Sequence, residues 1–118
     1  MIVRSHSTQG DGSSVSSSTQ GTNTFITFPA VPAASTASSI FGAVIADILD
    51  YKSTTQNKTV RMLAGYDSNG SGLSAMKSGL WFKTPEAINT INLGITTGWA
   101  TGSRWDLYGI SNSPRTGV

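Results

Sequence analysis

The run Asp67-Ser68-Asn69-Gly70-Ser71-Gly72 limits the fold more than any other part of the chain. Asn-Gly supplies the two positive φ values that a tight hairpin turn needs, and such a density of turn formers ends any regular element that reaches it. Both flanks have the period of a strand. Before the turn, Val60, Met62, Ala64 and Tyr66 alternate with Thr59, Arg61, Leu63 and Gly65, which reads as a half-buried strand. After it, Ser74, Met76, Ser78, Leu80 and Phe82 alternate with Leu73, Ala75, Lys77, Gly79 and Trp81, and neither face is cleanly apolar.

Other segments follow the same reading. Thr24 to Phe28 is an aromatic and β-branched run closed by Pro29 and Pro32, so it predicts a strand that cannot continue. Ile40 to Tyr51 suits either a helix capped by Ser38-Ser39 or a strand. As a strand it puts Ile40, Val44, Ala46 and Ile48 on one face and Phe41, Ala43, Ile45 and Leu49 on the other, which implies a central strand buried on both sides. Ile88 to Ile95 and Arg104 to Ile110 complete the predicted strands. Ser5 to Asn23 is almost wholly Ser, Thr, Gly, Gln, Asn and Asp, and reads as a flexible surface segment.

Composition tips the choice between helix and strand toward the strand. Only 12% of residues are charged, about half the usual share, while Ser and Thr abound. Hydroxyl-rich sheet surfaces fit this composition; amphipathic helices do not. The expected fold class is all-β, an antiparallel β-sandwich. The expected organisation is a polar arm or loop over 1–23, a sandwich domain over 24–110 and a tail over 111–118.

The chemistry-bearing residues are sparse. There are no cysteines, and the only histidine, His6, sits in the polar leader, where it reads as a solvated residue. The carboxylates Asp11, Asp47, Asp50, Asp67, Glu86 and Asp106 are spread along the chain, so no catalytic pair, metal site or cofactor is expected. Asp67 to Gly72 lacks the acidic residue that a calcium loop places near its twelfth position, where Ser78 stands. The net charge of +2 is scattered, and Lys77 and Lys83 around Trp81-Phe82 read as exposed strand lysines, so no nucleic-acid partner is expected. No 18-residue apolar run occurs, so no membrane partner is expected either. Trp81 and Trp105 fall in strand patterns and suit a core, whereas Trp99, between Gly98 and Ala100, suits an exposed contact. Trp99, Arg104 and Tyr66 are the candidate binding residues.

The closing segment Gly102-Ser103-Arg104-Trp105-Asp106-Leu107-Tyr108-Gly109-Ile110 resembles the terminal strand of a tailed-phage virion jelly-roll family. Gly10 to Ser14, Asp50-Tyr51, Asn57 to Arg61, Ser78 to Trp81 and Ala87 to Ile91 occur in the order that this family shows. The resemblance implies a jelly-roll sandwich and a non-enzymatic virion role, in a particle assembled in the host cytoplasm. It points first to a capsid decoration or cement protein contacting the major capsid protein. The alternative is a tail-fibre or receptor-binding module for a host glycan. Related chains carry further strands before the part that resembles Gly10 to Ser18. The expectation is therefore a homo-oligomer, a trimer by resemblance, whose sandwich is completed by neighbouring subunits.

Overall fold

The computed structural model describes residues 2–33, 35–36, 39–82 and 85–110. Among them are five strands: β1 (Ile2–Gly10), β2 (Val15–Asn23), β3 (Ala43–Leu49), β4 (Lys58–Asp67) and β5 (Gly72–Phe82). They form one antiparallel sheet in the order β2-β1-β5-β4-β3. The fold is all-β, as expected. The described residues form this single sheet, and irregular chain covers one of its faces where a sandwich would have a second sheet. The tail 111–118 and Lys83 lie outside the described residues.

The β4–β5 hairpin turns where the sequence places it. Asn69 and Gly70 have φ of 62° and 99°, as a two-residue turn of the primed kind requires. The Ser68 N–H donates to the Ser71 carbonyl at 2.6 Å, and the Asp67 carboxylate accepts from the Gly70 N–H at 3.3 Å. Just past the turn, a Cβ at Gly72 would collide with the Tyr66 carbonyl, so the strands can close here only on a glycine.

The polar leader is a second hairpin and not a flexible arm. The Asp11 carboxylate accepts from the Ser13 and Ser14 N–H groups at 2.9 and 2.8 Å, and Gly12 takes a φ of 92°. Those donors, Ser13 first, hold the Asp11 carboxyl well below the usual carboxylate range. β1 then lies between β2 and β5, so its backbone groups are paired on both sides. Hydroxyls join the strands further, as between Ser7 and Ser18 at 2.9 Å. Low apolar content suggested disorder, but a ladder needs backbone partners, and β5 supplies them.

Three other expectations are corrected. β3 is an edge strand, with Ile45 and Leu49 exposed on the side expected to be buried. Residues 24–28, 88–95 and 104–110 form no strand, although they alternate like one. Thr27 and Ala30 turn their side chains onto the sheet, and the prolines at 29 and 32 withhold ladder donors. Lys77 is buried, with 6% of its surface exposed.

The covered face explains that burial. Ala64 and Ala75 face each other across β4 and β5, and Ala30 of the crossing chain packs on both, flanked by Val44, Tyr66 and Leu73. Beside them the Lys77 ammonium donates to the Gln20 carbonyl oxygen at 2.9 Å and to the Thr27 hydroxyl. At the far end of the sheet Lys58, 1% exposed, donates to the carbonyls of Ser53 and Gln56 at 2.6 and 2.7 Å.

Replacing Gly70 by Val is expected to lower unfolding stability by about 1 kcal/mol or more, because a β-branched residue resists positive φ. Urea denaturation of the two proteins checks it; an unchanged midpoint would contradict the turn geometry.

Candidate functional site

Among the described residues, three surfaces are available for recognition. The first is aromatic. Phe28 stacks on Trp105 with centroids 5.4 Å apart, and Trp99 meets both edge-on, at 6.0 Å from Phe28 and 4.9 Å from Trp105. The Trp99 indole N–H donates to the Leu93 carbonyl at 3.2 Å. Beside this cluster the Arg104 guanidinium donates to the Asp106 carboxylate at 3.0 Å, both side chains reaching solvent.

The structure thus brings Trp99 beside Trp105, the chain neighbour of Arg104, and sends Tyr66 to the alanine core instead. Trp105 is not a core residue: it lies outside any strand and is about as exposed as Trp99. Its partner is the Phe28 ring, a contact between segments distant in sequence that local periodicity does not reveal.

The second surface is the closing segment. Leu107, Tyr108 and Ile110 are all more than 80% exposed in extended chain that joins no strand of the sheet. Large apolar side chains clustered in this way mark an interaction site far more often than isolated ones do.

The third is the outer face of β3, β4 and β5, opposite the alanine core. Ile45, Leu63 and Met76 are neighbours in one row across the three strands, with 66%, 52% and 64% of their surfaces exposed. Leu49 and Leu80 extend the patch along the sheet. Leu63, Met76 and Leu80 stand out of phase with the buried positions, and that mixed phase was the only sequence signal for this face. Toward β1 and β2 the same face turns polar, with Arg4, His6, Thr8, Ser17 and Thr19.

A further concave feature is shallow. Gly10 to Gly12 and the Asp67 to Gly72 turn border an open cleft at one end of the sheet. Asp11 there already caps its own turn.

No protein-family model, curated protein or solved structure matches the chain.

The buried ammonium of Lys77 gives a test of the covered face. Burial pulls its pKa below 10.5, so folding disfavours the charged form. Between the lowered value and 10.5 the folded chain holds fewer protons than the unfolded chain, and stability must climb as pH rises through that window. Lys77→Met is expected to abolish this climb. Denaturation midpoints of both proteins at neutral pH and near pH 10 would show it, and a parallel pH dependence would refute it.

Proposed function

We propose that the chain is a non-enzymatic structural protein of a tailed-phage virion, a capsid decoration or cement protein that packs against the major capsid protein and stabilises the head surface. The closing segment carries this reading. Residues 104–110 both bear the sequence resemblance and expose Leu107, Tyr108 and Ile110 in an extended chain. An extended segment with bare apolar side chains that joins no strand of its own sheet is suited to adding a strand to a neighbour, where main-chain hydrogen bonds give affinity and side-chain pockets give specificity. The low charge content agrees with a surface that meets protein over much of its area.

The experiment is location in the particle. Purified virions separated into heads and tails are probed for the protein, which is expected on heads. The double variant Leu107→Asp, Ile110→Asp should fold and yet be lost from particles. Absence of the wild type from particles would overturn the reading.

The glycan-binding alternative has one observation in its favour, the Phe28–Trp99–Trp105 cluster with the Arg104–Asp106 pair beside it. Indole faces attract sugar C–H groups while the ion pair offers donors and acceptors to hydroxyls. It requires the protein on tails, and a change in tryptophan emission with host polysaccharide that Trp105→Ala removes.

A further inference from the structure

The outer face of the sheet has a relief that repeats by strand register. One row across β3, β4 and β5 is Ile45, Leu63 and Met76. The next row toward the hairpin turn is Ala43, Gly65 and Ser74, all small. The first is a ridge and the second a trough, about 7 Å apart along the strands. Beyond the ridge lies Arg61, paired with Asp47 at 3.0 Å; beyond the trough, on the same strand and face, lies Asp67.

We propose that this face binds a second copy of the same chain about a two-fold axis that crosses β4 at Ala64, so that each copy's ridge lies in the other's trough. Rotation about an axis running across the strands exchanges Leu63 with Gly65, Met76 with Ser74, and Ile45 with Ala43. The same operation sets Arg61 of each copy opposite Asp67 of the other. Shape and charge are therefore complementary under one operation, as an isologous interface demands.

The size of the face favours such a contact. The full outer face covers about 700 Å² from strand spacing and rise, close to the roughly 800 Å² per partner of a stable interface. Its centre is apolar and its margin toward β1 and β2 is polar except for Val15 at the hairpin end, close to the usual layout of a protein interface. Two such faces would stack as the two sheets of a sandwich, with aligned strands. The contact closes with two copies, where the family resemblance implies three.

The inference is independent of the virion reading, and its test separates the two. Sedimentation equilibrium of the full chain should give a dimer. Ser74→Trp fills the trough with an apolar group and should yield a monomer, whereas indiscriminate hydrophobic association would strengthen. Arg61→Glu should weaken the dimer about tenfold or more by facing Asp67 with a like charge, and adding Asp67→Lys should restore it. Circular dichroism confirms that each variant is folded, and the restored double variant retains the test if Ser74→Trp does not fold. A wild type that stays monomeric to about 1 mM, a trimer, or a dimer indifferent to Ser74→Trp and to the charge exchange would overturn the proposal. A monomer found on heads would leave the virion reading intact, and a dimer absent from particles would do the reverse.

Discussion

The contact of Ala30 with Ala64 and Ala75 sets the distance between the sheet and the chain that crosses it. Three methyl groups allow irregular backbone to lie almost directly on the strands, and Pro32 then follows closely over Gly42, where an added Cβ would stand 3.0 Å from the proline ring. On the same crossing chain Thr27 is held by Lys77 and Phe28 by the tryptophans. The cost is a thin core. Methyl groups bury little area, and at about 0.8 kcal/mol per buried carbon they stabilise far less than a layer of leucines would.

A thin core changes what holds the sheet together. Past Ile2, Val3 and Val15 at their starts, β1 and β2 are polar on both faces, with Ser5, Ser7 and Gln20 toward the covered side and His6, Thr8 and Thr19 away from it. Backbone pairing, hydroxyl bridges and the Asp11 turn hold that hairpin. β3, β4 and β5 carry the apolar side chains, divided between the covered face and the bare one. Lys77 stands at the seam, where its stem packs among the apolar residues and its ammonium reaches Gln20 across the sheet. An uncompensated ammonium would be expensive there; amide and hydroxyl oxygens reduce the cost without supplying a counter-charge.

The elements legible in sequence were those whose signal is local. Asn69-Gly70 and its two flanking strands needed only turn chemistry and a period of two, and the strand over 43–49 needed only composition to decide against a helix. The leader was misread because hydrophobic alternation, the usual strand signal, is absent where hydroxyls fill both faces. Thr24 to Phe28 and Arg104 to Ile110 were misread for the converse reason: alternation is present, but pairing is decided by which backbone lies alongside. Of the candidate binding residues, Trp99 and Arg104 belong to one neighbourhood because of Phe28, far away in sequence. Tyr66 was drawn inward by the small residues around it, whose closeness no linear pattern records.

The placement of charge links the two sides of the sheet. Ion pairs near the surface contribute little to folding, so the sparse charged groups of this chain are better understood by where they stand than by what they stabilise. Lys58 and Lys77 are turned inward, where each meets oxygen acceptors. Arg61 and Asp47 neutralise each other in the middle of the bare apolar face, which leaves that part of the surface without a net charge to repel another protein. A strand sequence that points its lysines in and its leucines out loses little as long as the outward face is covered by something equally apolar. The out-of-phase positions of β4 and β5 follow from a sheet that carries apolar side chains on both faces, of which its own irregular chain covers one.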